Sequence, residues 1–397
     1  MNPPEFRLVN LVLDTGERLP CLVDKQTWLP ARLATRWAVR WRRYRVQAST
    51  LASILRVLGK MYDWAWRIAE LDLDQYLTDG RLLTPQQLES LAAHLRENAT
   101  VLDGLTIAPH TYNTHISVIE DFLKWSLYPA NRGGVTSFSL EELSAEREYL
   151  TLFFHSIRVS GGQSQRLQPL TEAEIKQIRD AIQPHPGSKG EWIFPNNAFS
   201  TSTALRNWLM FEVAYELGLR RGELLKLRLD SLPRGREESI LVRRLPDDPH
   251  DNRAREPAVK TAERKLPASR NLLQALRHYV TAPPPAGRIH GQSPYLFVTR
   301  QGNPVAIDTA QDIIRAIGQH SGIQPLSWHR LRHTWAERMA EALLDQPNGM
   351  DILMYLGGWS HPGSPKRYIQ NALARQSAQF LAQYQNDLYP STAEDIR

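Results

Sequence analysis

The spacing of apolar residues changes character along the chain. Over the first thirty residues apolar and polar positions alternate. Leu8, Asn10, Leu11 and Leu13 run up to Asp14-Thr15-Gly16, and residues 19–23 run back, which is the period of a short hairpin. From Leu33 onward the apolar positions fall three and four apart. Leu51, Ile54, Leu55, Leu58, Met61, Tyr62, Trp64 and Ala65 make the inner face of a helix that Ser49 or Thr50 can cap. Thr84-Pro85-Gln86-Gln87 sets a capping hydroxyl before a proline at the first helical position and opens a second helix with Leu88, Leu91, Ala92 and Leu95. Residues 109–127 repeat the pattern with Tyr112, Ile116, Ile119, Phe122 and Leu123.

The texture then shifts. Arg132-Gly133-Gly134 and Ser160-Gly161-Gly162-Gln163-Ser164 flank a polar helix, so a linker is expected here. Thr171 with Glu174 three residues on is a capping box that opens a second domain. Residues 203–217 are strongly apolar, and Gly218 is suited to close that helix in the left-handed conformation. Strands are expected at 240–242, 258–261 and 265–267, with the polar span 246–256 as a loop. Helices follow at 272–279, ended by Pro283-Pro284-Pro285, and at 308–317, 331–344 and 369–388. The pattern predicts a mainly α protein with a small antiparallel β-sheet, an α+β chain. Its parts are an N-terminal extension with a possible hairpin over 1–30, a helical domain over 31–130, a linker over 131–168 and a mixed α/β domain over 169–397.

Composition adds bounds. A chain of 397 residues is too long for one ordinary core. No apolar run approaches the roughly 20 residues of a membrane span, and the start lacks a basic-then-apolar secretory signal. A single cysteine, Cys21, excludes an internal disulfide and a thiolate zinc cluster, so a cytoplasmic protein is expected. The net charge of +6 is modest but uneven. Between residues 31 and 70, Arg32, Arg36, Arg40, Arg42, Arg43, Arg45, Arg56, Lys60 and Arg67 meet only Asp63 and Glu70, interleaved with Trp37, Trp41 and Tyr44. That suits a polyanion surface, with Arg36, Arg40, Arg42, Arg43 and Arg45 as its candidates; a solvated basic helix face has the same pattern.

The densest chemistry lies near the C-terminus, in Ser327-Trp328-His329-Arg330-Leu331-Arg332-His333-Thr334, followed by Gly357-Gly358-Trp359-Ser360-His361 and Tyr368. On a helix His329, Arg332 and His333 leave from one face, a proton-transfer group beside a fork shaped for phosphate oxygens. A zinc pair at His329 and His333 would need a third ligand, and none stands at a recognisable spacing. Phosphate-loop, dinucleotide and serine-elbow patterns do not occur. What remains is a set of donors that can serve a tyrosine attacking phosphorus. Arginines neutralise the non-bridging oxygens, a histidine assists loss of the phenol proton, and a lysine protonates the leaving oxygen.

Those residues resemble the tyrosine site-specific recombinases, or phage integrase family. Gly218-Leu219-Arg220-Arg221-Gly222-Glu223-Leu224 is similar to the family's first motif, which implies that Arg220 is a catalytic arginine and Glu223 a supporting acid. Lys260-Thr261 through Leu266-Pro267 resembles its hairpin-lysine motif, with Lys265 a rival to Lys260. His329-Arg330-Leu331-Arg332-His333 matches His-x-Leu-Arg-His, and Gly358-Trp359 stands ten residues before Tyr368, the implied nucleophile. Tyr355, Tyr384 and Tyr389 lack that offset. The chain departs from the pattern at Gly357, where leucine is usual, and at Trp359, where histidine is commoner.

The resemblance implies a helical core-binding domain followed by a tyrosine-recombinase catalytic domain. It implies a site-specific DNA recombinase or integrase of a mobile genetic element, working through a 3′-phosphotyrosyl intermediate without cofactor, metal or ATP. Arg220, Lys260, His329, Arg332, Trp359 and Tyr368 would be catalytic, with Glu223 and His333 in support. The implied partner is double-stranded DNA bearing specific sites, bound by a homotetramer that is a monomer or weak oligomer when free, in the nucleoid-associated cytoplasm. The last helix either packs on its own domain or is donated to a neighbouring protomer. Rival readings are DNA relaxation of the type IB topoisomerase kind and a non-catalytic DNA-binding protein on the same fold.

Overall fold

The computed structural model describes residues 6–97, 106–132, 138–161, 168–186, 192–195, 199–235, 237–282, 287–289, 291 and 293–388. Two compact units follow one another. The first comprises residues 1–166 with 254–256, and the second 167–253 with 257–397.

In the first unit the alternation at the N-terminus is an antiparallel hairpin, β1 (Phe6–Val12) and β2 (Arg18–Asp24), with Leu8 opposite Leu22. Its inner face packs on the long helix α2 (Ala48–Arg67). Gly59 of α2 lets the ribbon close in, since a Cβ there would sit 3.3 Å from Leu22. The helices are α1 (Arg32–Trp37), which runs into a π-helical turn (Ala38–Arg42), α2 (Ala48–Arg67), α3 (Leu73–Thr78), α4 (Pro85–Arg96), α5 (Pro109–Ser126), α6 (Pro129–Arg132) and α7 (Leu140–Ser156). Thr84 and Gln87 form the capping box of α4. Neither Ser49 nor Thr50 caps α2. That helix begins a turn earlier, with Gln47 at its N-cap, and both residues lie inside it. Trp37, Leu55, Trp64 and Phe122 are fully buried together. Asp74 of α3 accepts from the Leu33 N–H and the Tyr62 hydroxyl, which satisfies backbone donors at the start of α1.

One expected boundary moves. Much of the span 131–168 is not a linker, because Leu143, Leu150 and Phe154 of α7 enter the first unit's core. A helix that reads as polar overall still buries one apolar stripe. Gly133, Gly134, residues 162–164, Pro283 to Pro285 and Tyr389 lie outside the described residues.

The second unit opens on α8 (Glu172–Ile182), capped by Thr171 and Glu174 as the sequence predicts. A short ribbon, β3 (His185–Pro186) with β4 (Trp192–Ile193), precedes α9 (Thr201–Leu217). Leu205, Leu209, Met210, Val213 and Ala214 make α9 the central element of the core, and Gly218 ends it in the left-handed region at φ 60°. A Cβ on Gly218 would also strike the Trp335 ring at 2.1 Å, so this turn requires glycine twice over. Then come α10 (Arg221–Lys226), a short 3-10 turn, and the antiparallel pair β5 (Ser239–Val242) and β6 (Arg264–Pro267). The strand expected at 258–261 is loop instead. It continues the polar span, which is pinned to the core by the buried Asp251–Lys226 ion pair at 3.3 Å and by Arg253 hydrogen bonds to the Leu225 and Val305 carbonyls. The remaining helices are α11 (Arg270–Thr281), α12 (Ile307–Ser321), α13 (Trp328–Ala342), α14 (Gly349–Gly357) and α15 (Gly363–Leu388). Up to Ala372, α15 packs against α13. Beyond it Leu373, Phe380, Leu381, Tyr384 and Leu388 are exposed.

Candidate active site

Three turns bring the predicted residues of the second unit together. The left-handed end of α9 delivers Arg220 to the start of α10. Ser327 caps α13 by accepting from the Arg330 N–H, which presents His329, Arg332 and His333 from the helix's first two turns. Gly358, with φ 62°, closes α14 and swings Trp359 back toward the start of α15, where Tyr368 lies.

Arg220 and Arg332 come from separate elements yet donate to one oxygen. The Arg220 Nη1 reaches the Gly357 carbonyl at 3.1 Å, and the Arg332 Nη2 reaches it at 2.7 Å. Arg332 also donates to the Gly218 carbonyl at 2.6 Å. Trp359 lies against both charges, with the Arg332 guanidinium 4.5 Å and the Arg220 guanidinium 5.8 Å from its ring centre. Burial first, and then the neighbouring Arg220, push the Arg332 guanidinium down to about 9, so it remains charged at pH 7. Burial and the nearby Arg264 likewise lower Arg220. Like charges crowded in a partly dry place form a standing attraction for an anion.

Glu223 is the counterweight, 1% exposed. Its carboxylate accepts from the Arg220 backbone N–H at 2.7 Å, from Arg264 at 2.8 Å and from the Thr261 hydroxyl, with Arg332 at 4.0 Å. Burial would raise its carboxyl, but Arg264, Thr261 and Arg332 outweigh that and hold it below the usual carboxylate range.

Tyr368 is buried, 3% exposed, against Trp335, Ala336 and Leu353. His333 meets its ring edge-on at 5.2 Å and Trp359 lies at 5.9 Å. Its hydroxyl accepts from Arg367 at 2.6 Å. Tyr355 and Tyr384 are more than half exposed, away from this cluster. His333 also lies beside Glu337 of its own helix, 3.9 Å away. His329 is half-exposed at the first turn of α13. Partial burial, His333 and the guanidiniums of Arg367, Arg332 and Arg220 push its imidazole below the ordinary value.

The two candidate lysines stand differently. Lys265 points outward from β6 and pairs with Glu237 at 2.6 Å, while Arg264 and Leu266 face inward. Lys260 is exposed on the loop, next to Thr261, which is tied to Glu223. Sequence reasoning passed over Arg264, Thr261 and Arg367. Alternation along β6 carried a signal for Arg264, which shares the inward face of Leu266. Nothing in the local pattern distinguished Arg367.

In the first unit the five candidate arginines divide. Arg43 chelates Glu17, Arg42 pairs with Asp121 beneath the Trp37 ring, and Arg36 donates to the Ala130 carbonyl at 3.0 Å. Arg40 is exposed, and Arg45 is exposed with its guanidinium 4.0 Å over Trp41.

Residues 196–375 match the model described as the phage integrase family. The tyrosine recombinase XerD of Listeria innocua is 26% identical over 208 residues, which cover 51% of this chain and 62% of that protein. Transposase A from transposon Tn554 of Staphylococcus aureus is 25% identical over 245 residues, 58% of each chain. The chain thus spans less than two thirds of the length of the curated relatives it matches. Among solved structures, the XerH site-specific recombinase bound to a palindromic difH substrate aligns with a TM-score of 0.52 at 13% identity, covering 87% of this chain and 83% of that one. The Tn1549 transposon integrase in complex with transposon right end DNA aligns with a TM-score of 0.52 at 17% identity, covering 88% and 99%. At such identities the likeness is one of fold.

Proposed function

We propose, from the match of residues 196–375 to the phage integrase family, that the protein cuts and rejoins DNA at specific sites through a covalent tyrosine link. The observation that carries the reading is the convergence of Arg220 and Arg332 on one oxygen, with Tyr368 packed beside Trp359 and His333. Two guanidinium forks that meet at a point suit a phosphodiester oxygen better than a surface ion pair.

In this reading DNA brings its scissile phosphate to the two guanidiniums, with the Trp359 indole N–H as a further donor. The Tyr368 oxygen attacks phosphorus as His329 takes the phenol proton. The P–O bond to the 5′ oxygen breaks, and Lys260 gives that oxygen a proton. The product is a 3′-phosphotyrosine and a free 5′ hydroxyl. The bond energy is kept in the link, so a 5′ hydroxyl from a second site can reverse the step and exchange strands. Glu223 holds Arg220 in place, and His333 packs the Tyr368 ring.

Double-stranded DNA with specific sites is the proposed partner, with Arg40 and Arg45 as the first unit's free phosphate contacts. Two sites exchanging strands need four protomers. The exposed apolar residues of α15, including Phe380 and Tyr384, are the surface by which neighbours would join. Such an enzyme would act where the DNA is, at the nucleoid.

The test uses DNA from around the protein's own gene, nicked at candidate sites. Wild type is expected to give a covalent adduct that resists detergent, and Tyr368→Phe none. An adduct surviving Tyr368→Phe would place the nucleophile elsewhere. Relaxation of any supercoiled DNA by monomers would favour the topoisomerase reading.

A further inference from the structure

Arg264 stands in no role assigned so far, yet it touches three parts of the site at once. Arg264 is 3% exposed at the inward face of β6. Nη1 donates to Glu223 at 2.8 Å and to the Ala262 carbonyl at 3.4 Å, and Nε donates to the Leu356 carbonyl at 2.9 Å. Nη2 is buried without a hydrogen-bond partner. A planar fork is the side chain that can serve a carboxylate and a carbonyl on different elements together.

The neighbours show what those contacts hold. Leu356 immediately precedes Gly357, whose carbonyl anchors Arg220 and Arg332. Gly358, which turns the chain toward Trp359, lies so close that a Cβ there would stand 2.7 Å from Arg264 Nη1 and 2.9 Å from Thr261. On the other side, Thr261 shares the Glu223 carboxylate with Arg264, and Lys260 is the residue before Thr261. Glu223 and Arg264 therefore pin the loop that carries Lys260 to the turn that carries Trp359.

We propose that Arg264 is a positioning residue of strand cleavage, joining the leaving-group side of the site at Lys260 to the phosphate-binding side at Trp359. This rests on the function proposed above. Arg264 itself touches no reacting atom. It acts through Glu223, the Lys260 loop and the Leu356–Gly358 turn, and its free Nη2 donors add positive charge behind the two phosphate-binding arginines.

The experiment compares wild type, Lys260→Ala, Arg264→Lys and Arg264→Met in single-turnover adduct formation on nicked DNA. Equilibrium DNA binding and thermal unfolding are measured on the same samples. Arg264→Lys keeps a charge for Glu223 but loses the fork, so it decides the matter if Arg264→Met does not fold. Its adduct rate is expected to fall about 10- to 100-fold, the cost of displacing groups by about 1 Å, with DNA affinity within about twofold. A second substrate carries sulfur in place of the 5′ bridging oxygen. A thiol is far more acidic than an alcohol, so a thiolate leaves without a donated proton. Lys260→Ala should recover on it, and Arg264→Lys should recover in part, by the share of its defect that passes through Lys260. A rate within twofold of wild type in a folded Arg264→Lys protein overturns the proposal, as does a defect with no recovery on the sulfur substrate. If wild type forms no adduct at all, the failure lies with the function proposed for the site.

Discussion

A histidine that takes a proton from a phenol has to be neutral when it does so, and its surroundings decide whether it is. Around His329 stand Arg220 from the start of α10, Arg332 and His333 from its own helix, and Arg367 from α15, all opposing a charge on the ring. Its imidazole is lowered by partial burial and by those neighbours. The adduct rate should therefore hold level down to the ordinary imidazole value near 6.5 and decline only below it. His329→Gln should be slower by about 100-fold and lack that acid limb. The sign for stability agrees. A histidine lowered on folding contributes stability that is full above the unfolded value and lost as pH falls through the folded one. Burial and the neighbouring guanidiniums penalise only the charged ring, so the melting temperature of wild type should fall relative to that of His329→Gln as pH drops below the unfolded value. A wild-type rate already falling at pH 7 would show that the base is another group.

At the scale of elements, α10 and the loop before β6 are fitted to each other by the absence of a side chain. Gly222 is helical and has ordinary dihedrals, so its need for glycine is one of space. A Cβ there would come within 2.1 Å of the Ala258 carbonyl. Gly222→Ala must lift the loop that carries Lys260. The expected result is an adduct rate reduced at least about tenfold and a loss of about 1–3 kcal/mol of stability, the ordinary cost of overpacking. Single-turnover kinetics with a denaturant melt checks both. An unchanged rate would mean that the loop's seat on α10 does not matter to the chemistry. The pleat of β6 settles a second matter, since one residue's shift along a strand exchanges faces. Lys265 is thereby sent outward to Glu237 and Arg264 inward to Glu223.

For the whole molecule, the decisive feature is that each unit buries a core of its own. Trp37, Leu55, Trp64 and Phe122 pack in the first, and Leu209, Met210, Phe211 and Val213 in the second. Independent cores are expected to melt separately. Leu55, fully buried on α2, should cost about 2–5 kcal/mol when cut to alanine. Calorimetry should show that loss in one transition, with the other held in place. A single transition moving as a whole would show that the two cores unfold as one.

The sequence by itself determined most of the longer helices, the left-handed stop at Gly218, the cap at Thr84, the capping box at Thr171, and a resemblance strong enough to nominate Arg220, Arg332 and Tyr368. Those are local matters, set by periodicity, by the backbone freedom of glycine and by hydroxyls that reach the third amide along. It misread 258–261 as a strand and much of α7 as linker, because short apolar runs and thin apolar stripes look alike until something packs on them. Which charges are spent and which are free was decided only by tertiary structure. Arg42 and Arg43 pair with Asp121 and Glu17, which lie far off in sequence. Arg264 entered the site because Glu223 and the Leu356 carbonyl arrive there from other elements. A buried charge must find partners wherever the fold places them, and no spacing along the chain records where that is.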